Sequence, residues 1–306
     1  MIDVAVLIMV AIISAATPLL FAALGELVVE RAGVLNLGIE GMMLMGAMAG
    51  FAATLTTGSH ALGILAAVLA GAGMALLFAV LTLSLSANQV AAGLALTIFG
   101  IGLSALAGAP FVGQPVAALP KLAVTGLSDL PIIGPLLFSH DALVYLSVAL
   151  VPGIWWFLSR TRGGLILRAC GESAESAHAL GHPVVAVRYG ACLFGGGMAG
   201  LGGAFLSLSY TPMWMEGMTA GRGWIALALV VFATWRPHRA LVGAYLFGGV
   251  GILQLHAQGA WGLPSEIFSM LPYLATIAVL TIMSSAARRG GLGAPASLGK
   301  PFQPPA

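Results

Sequence analysis

GMMLMGAMAGFAATLTTGSHALGILAAVLAGAGMALLFAVLTLSLSANQVAAGLALTIFGIGLSALAGAPFVGQPVAALP, from Gly41 to Pro120, runs for 80 residues without an Asp, Glu, Lys or Arg. A helix crossing the hydrocarbon core of a bilayer needs about 20 apolar residues. The stretch therefore holds about three spans, with turns expected at Thr57-Gly58-Ser59-His60 and from Ser84 to Gln89.

Other charge-free runs extend the pattern: Val4 to Gly25 with 22 residues, Ala142 to Ser159 with 18, Tyr189 to Met215 with 27, Ala240 to Ser265 with 26 and Ile267 to Ala287 with 21. A shorter one of 13, Gly223 to Trp235, lies between Arg222 and Arg236. Together these predict an all-α, polytopic membrane protein of about nine spans (8–10), some of them discontinuous. One transmembrane domain is expected over residues 1–284, followed by a disordered cytoplasmic tail over 285–306, where Gly and Pro are frequent.

Composition excludes the alternatives. Of 306 residues, 59% are hydrophobic and only 22 carry a formal charge, whereas a soluble domain devotes roughly 25% of its residues to charge. Disorder needs low hydrophobicity and high net charge. A transmembrane barrel needs short strands of alternating polarity. The two cysteines, Cys170 and Cys192, offer neither a disulfide framework nor metal-ligand spacing. The net charge of +2 gives no case for nucleic-acid binding.

Basic residues set the orientation, because cytoplasmic loops retain an excess of Lys and Arg. With the segment Arg160–Arg188 inside and the spans alternating from it, Arg31, Arg160, Arg162, Arg168, Arg188, Arg236, Arg239, Arg288, Arg289 and Lys300 are cytoplasmic, and only Lys121 and Arg222 are external. The N-terminus is then outside and the C-terminus inside. Met1-Ile2-Asp3 lacks the basic start of a cleaved signal peptide, so the first segment is expected to stay.

Charged groups inside spans are costly and mark function by default. A first cluster sets Glu26, Glu30, Arg31, Asn36 and Glu40 among glycines in ERAGVLNLGIEGMMLMGA, the pattern of a helix broken within the bilayer, which persists only where protein or a cavity covers it. A second, Thr211 to Trp224, carries Trp214, Glu216 and Arg222 ahead of the shortest hydrophobic run. Gly-interrupted or short segments in the two halves of a chain point to a transporter's substrate path. Asn36, Glu40, Trp214, Glu216 and Arg222 are accordingly the candidate path residues, although the tryptophans also suit interfacial anchors. A third region, 160–183, encodes a short helix from Ala174 to Leu180: Ser173 caps it, Glu175 meets its positive end, and Gly181 with Pro183 stops it. Held parallel to the membrane, such a helix would be a docking lever for a soluble partner. The Gly-Lys pair at Gly299-Lys300 is followed by Pro301 and matches no phosphate-binding loop, so ATP hydrolysis would have to come from another subunit.

Three runs together, GVLNLGIEGMMLMGA (Gly33–Ala47), TRGGLILRACGESAESAHALG (Thr161–Gly181) and MTAGRGWIALALVVFATW (Met218–Trp235), resemble the permease subunits of bacterial ABC importers for sugars, nucleosides and branched-chain amino acids, most closely the nucleoside or simple-sugar type. The resemblance implies a multi-pass inner-membrane permease without catalytic activity or cofactor of its own. Its partners would be an ATPase subunit using ATP and Mg, a second homologous permease, an extracytoplasmic binding protein or lipoprotein, and the bilayer. It makes Ser173, Ala174, Glu175, His178, Leu180 and Gly181 the ATPase-coupling residues. Family members often carry Asn-Pro where this chain has Ser173-Ala174, so the cap is kept in type while the proline is lost. The implied function is nucleoside or simple-sugar uptake by alternating access. A branched-chain amino acid or monosaccharide permease is the nearest alternative, and an ion-coupled secondary transporter the alternative from another class.

Overall fold

The computed structural model describes residues 2–122, 128, 130–257, 270, 274, 277, 281 and 293–303. Over these the chain is helical: α1 (Ile2–Arg31), α2 (Ile39–Thr57), α3 (His60–Ala79), α4 (Gln89–Gly108), α5 (Ile133–Leu137), α6 (Ala142–Arg160), α7 (Arg162–Glu172), α8 (Ala174–Ala179), α9 (Val184–Phe205), α10 (Arg222–Phe232) and α11 (Pro237–Ala257). Widened π turns lengthen α3 through Val80–Ser84 and α9 through Leu206–Tyr210.

Six helices among the described residues are long and apolar enough to cross a membrane: Val4–Arg31, Ile39–Thr57, His60–Ser84, Gln89–Phe111, Ala142–Arg160 and Val184–Tyr210. The helical membrane architecture is as expected, while the expected count of about nine spans is not confirmed by these six. At 11 residues, α10 is about 16 Å long and reaches only part of the way. α11 opens with the polar Pro237-His238-Arg239, and the expected segment Ile267–Ala287 lies mostly outside the described residues.

Turn chemistry explains the helix ends. Gly58 closes α2 at φ 70°, the left-handed conformation that glycine adopts without steric cost. Ser59 then accepts from the Leu62 amide to start α3. Asn88 caps α4 by accepting from the Ala91 amide, and Asp141 caps α6 by accepting from the Leu143 and Val144 amides.

α9 is the hub, packed against α1, α2 and α3. Lipid gives helices no hydrophobic reason to associate, so close approach of backbones must hold them. A Cβ added at Gly46 of α2 would collide with the backbone of Gly200 on α9, and one at Gly25 of α1 would lie 2.7 Å from the Met198 Cβ. On the far side of α2, a Cβ at Gly100 of α4 would lie 2.6 Å from the Gly41 Cα. The buried core that results runs through Leu20, Phe21, Leu24, Met42, Met43, Phe78 and Phe205.

Two regions differ from the sequence reading. Between α6 and α8 the chain forms the additional helix α7, which begins where Thr161 accepts from the Gly164 amide. The C-terminal stretch is expected to be disordered, yet residues 293–303 turn back onto the helices: Ser297 donates its amide to the Gly171 carbonyl at 2.8 Å and Gly299 donates to the Gly33 carbonyl at 3.2 Å. Composition missed this order because the segment's partners are backbone groups of distant loops.

Candidate functional site

Between α1 and α2 the chain leaves helical geometry over 32–38 and folds back beside α1. Side chains of three helices satisfy the exposed backbone. The Glu26 Oε1 accepts from the Asn36 amide at 3.1 Å, the Gln89 Oε1 accepts from the Leu35 amide at 2.8 Å, and Thr97 donates to the Leu37 carbonyl at 3.0 Å. Asn36 accepts from the Gly38 amide at 2.9 Å through its Oδ1, an Asx turn that leads into α2. Arg188 of α9 donates its Nε to the Ala32 carbonyl at 3.1 Å. A break inside a bilayer is tolerated only when its polar groups are met in this way.

The second break, Thr211–Gly221, meets the first through one side chain. Glu40, in the first turn of α2, accepts from the Thr219 hydroxyl at 2.5 Å and the Gly221 amide at 2.8 Å through Oε1, and from the Gly223 amide at 2.6 Å through Oε2. Gly221 has φ 81° and no side-chain cap from its own segment. Glu40 therefore caps α10 from a different helix, and its acceptor oxygens complement the positive end of the helix dipole. Gly223 is required, since a Cβ there would lie 2.7 Å from the Glu40 Cα.

The other end of α10 is held by α1. Glu30 accepts from the Trp235 indole N–H at 2.5 Å. Arg31 donates through Nε and NH2 to the Trp235 carbonyl at 3.3 and 3.1 Å. Trp235 and Thr234 have φ of 55° and 49°, a left-handed pair in non-glycine residues that is held by these contacts. So the short helix α10 is pinned at its start by α2 and at its finish by α1.

The candidate path residues fall into two groups. Asn36, Glu40 and Trp214 are buried, at 1%, 6% and 0% exposure. The Trp214 indole packs with Leu44, Met48 and Phe51 and covers Gly108. Glu216 is exposed, while Arg222 is half-buried with its guanidinium 5.6 Å from the Tyr210 ring centroid. Glu40 and the Arg222 segment come together; Trp214 and Asn36 stand in separate surroundings. Sequence reasoning missed Gln89, Thr97, Arg188, Thr219 and Trp235 as supports of the two breaks. Their only signal is polarity within an apolar run. Among the described residues no group of three His, Cys, Asp or Glu side chains could hold a metal.

The third site is α8. Ser173 accepts from the Ser176 amide at 3.2 Å. At the far end Gly181 donates to the His178 carbonyl and His182 to the Ala177 carbonyl, the paired bonds of a Schellman stop, with Gly181 at φ 82°. The helix observed, Ala174–Ala179, matches the expected Ala174–Leu180 within a residue. Ala174 and Ala177 pack down on Cys170 and Val184, and burial pushes the Cys170 thiol above its ordinary range. Glu175 and Leu180 point outward, with Leu180 77% exposed.

The family model described as branched-chain amino acid transport system, permease component, matches residues 8–280. The chain belongs to this permease family. Among its relatives, a protein provisionally named a glucose ABC transporter permease, of Haloferax volcanii, is 45% identical over 89% of this chain and 89% of its own length. The nucleoside ABC transporter permease NupC of Lactococcus lactis is 32% identical, and the guanosine ABC transporter permease NupQ of Bacillus subtilis 31%, each over 87% of this chain and 88% of its own length. The permease core recognised by the family model takes in both breaks, α8 and the Glu40 tie between α2 and α10.

Proposed function

We propose that this chain is the membrane subunit of an ATP-driven importer of sugar-ring compounds, nucleosides or simple sugars, working by alternating access. The observation that carries the reading is α8: a short helix capped at both ends, seated on a small buried cluster, that presents the exposed Leu180. An isolated helix of this length is unstable without tertiary support, and an exposed leucine on it suits a groove in a soluble ATPase. Ser173, Ala174, Glu175, His178, Leu180 and Gly181 form that lever. ATP and Mg belong to the partner. A second permease and an extracytoplasmic binding protein complete the assembly in the cytoplasmic membrane, with the N-terminus outside. The gathering of Arg31, Arg168 and Arg236 around one surface cleft, with Arg188 beside Lys300, supports that end as the cytoplasmic one.

The substrate class rests on relatives named for glucose, nucleosides and guanosine; these compounds share a polyhydroxylated ring. Of the candidate path residues, we assign substrate contact to Glu216 and Arg222, a reading supported by their at least partial exposure, and assign Asn36, Glu40 and Trp214 to shaping the path through the backbone and packing they hold. ATP binding to the partner biases the bundle between two states because its affinity for them differs.

In the assembled transporter, Leu180→Asp is expected to abolish stimulation of ATP hydrolysis by loaded binding protein. Unchanged stimulation would sink the coupling role. Uptake competition sorts the substrate: displacement of labelled guanosine by glucose and adenosine supports the sugar-ring class, and displacement by leucine alone moves the chain to branched-chain amino acids.

A further inference from the structure

The C-terminal residues 293–303 reach three connections at one end of the described bundle: the first break after α1, the α7–α8 junction and the α3–α4 turn. Ser297 donates its amide to the Gly171 carbonyl at 2.8 Å and its hydroxyl to the Glu172 carbonyl at 3.1 Å, at the end of α7. Gly299 reaches the Gly33 carbonyl in the first break at 3.2 Å. The Lys300 carbonyl accepts from Arg188 NH1 at 3.2 Å, and the same guanidinium holds the Ala32 carbonyl through Nε. The Phe302 ring lies edge-on to His178 of α8, 5.6 Å between centroids, and packs on the cluster of Cys170, Ala174, Ala177 and Val184. Gln303 donates to Ser86, in the α3–α4 turn, at 2.9 Å.

We propose that residues 293–303 are a strut that joins α8 to the first break, so that displacement of α8 reaches 32–38 and, through Glu40, the start of α10. The inference rests on α8 being the ATPase-facing lever. Two features separate a strut from a mask. The tail grips the flank of α8 at His178 and leaves Leu180 77% exposed, so it does not cover the docking face. Its bonds also run to loops of three different helix pairs, which a mask over one helix has no need to tie together. Without the strut α8 rests on a small cluster and reaches the break only indirectly, through the close approach of Gly171 on α7 to Arg31 and Gly33. With it, Gly299 and Arg188 connect the lever directly to Ala32 and Gly33.

The test has two arms in the full chain, assembled with its ATPase. Phe302→Asp combined with Ser297→Pro removes the ring contact and the amide bond to Gly171. These changes are expected to lower binding-protein-stimulated ATP hydrolysis at least fivefold while the ATPase still co-purifies. In the second arm, Ser86→Cys with Gln303→Cys is bridged by a short bismaleimide; Cys170 and Cys192 are buried and are expected to stay unmodified. Efficient bridging in native membranes, with stimulated hydrolysis and uptake kept within twofold, supports the strut. Absence of bridging, loss of activity on bridging, or a rise in hydrolysis with the first variant would each overturn it, the last two in favour of a tail that must leave. Bridging is read without ATP, so it separates failure of the strut from failure of the importer reading. A wild-type assembly without stimulated hydrolysis would count against the latter.

Discussion

Glu40 and Glu26 flank the same break, and both are buried, at 6% and 1% exposure, yet they are furnished in opposite ways. Glu40 receives a hydroxyl and two amides from a segment 179 to 183 residues away, on both its oxygens. Glu26 receives one amide, from Asn36, and its Oε2 has no hydrogen-bond partner among the described residues. Glu30, like Glu26, receives one donor, the Trp235 indole on one oxygen. A buried carboxylate is therefore not one kind of thing in this bundle. Where donors converge it is an architectural cap; where they do not, it keeps an open acceptor beside the break. The importance of each for folding should follow the number of donors it satisfies.

Glu40→Ala tests this at its strongest point. Three donors lose their acceptor at once, each at a cost of about 1–3 kcal/mol when buried, against a total stability of about 5–15 kcal/mol. Little or no monodisperse protein is expected on size-exclusion chromatography after detergent extraction. Glu40→Gln should be milder. The amide oxygen can still serve Thr219 and Gly221, while its NH2 group faces the Gly223 amide and loses one bond. If Glu40→Ala were extracted intact and melted like the wild type, the cap would have no structural role.

Trp235→Phe removes the one donor that Glu30 receives. The ring stays and only the indole donor is lost, which leaves the Glu30 Oε2 bare at about 1–3 kcal/mol. The melting temperature should fall by about 2–10 °C. The Arg31 bonds to the Trp235 carbonyl do not depend on the side chain and should keep α10 in place. A melting temperature equal to the wild type would remove Glu30 from the list of carboxylates that hold α10.

The same contrast marks what could be read from sequence. Scarcity of charge located the six long helices, and Ser173 with Gly181 located α8, because spans and caps are written in neighbouring residues. The glycines and Asn36 announced the first break for the same reason. The partners of Glu40 were beyond reach: nothing local links residue 40 to 219, 221 and 223. Gln89 and Thr97 look like ordinary polar residues of a span until the break is seen to need donors and acceptors. The helix α7 was obscured by Gly163 and Gly164, poor helix formers that the Thr161 cap offsets. The order of 293–303 was hidden by a composition that speaks for disorder in isolation, when its partners are the carbonyls of Gly33, Gly171 and Glu172.

The smallest effect is the sharpest comparison. In Glu26→Gln the side chain keeps its shape, and its amide oxygen can still accept from the Asn36 amide. The atom that changes is the one without a partner. An amide is cheaper to bury than a carboxylate in a low-dielectric site, while its N–H groups gain no named acceptor there, so the two terms offset. The net change should stay within about 1 kcal/mol, with the melting temperature inside a few degrees of wild type and uptake of labelled substrate retained. Set beside Glu40→Gln, the same substitution on the other side of the break, it isolates donor count from burial. Equal losses from the two would mean that burial alone decides and that the donors around Glu40 are incidental. If Glu26→Gln left stability intact but abolished uptake, the open oxygen would be in use during transport, and Glu26 would be added to the proposed contacts Glu216 and Arg222.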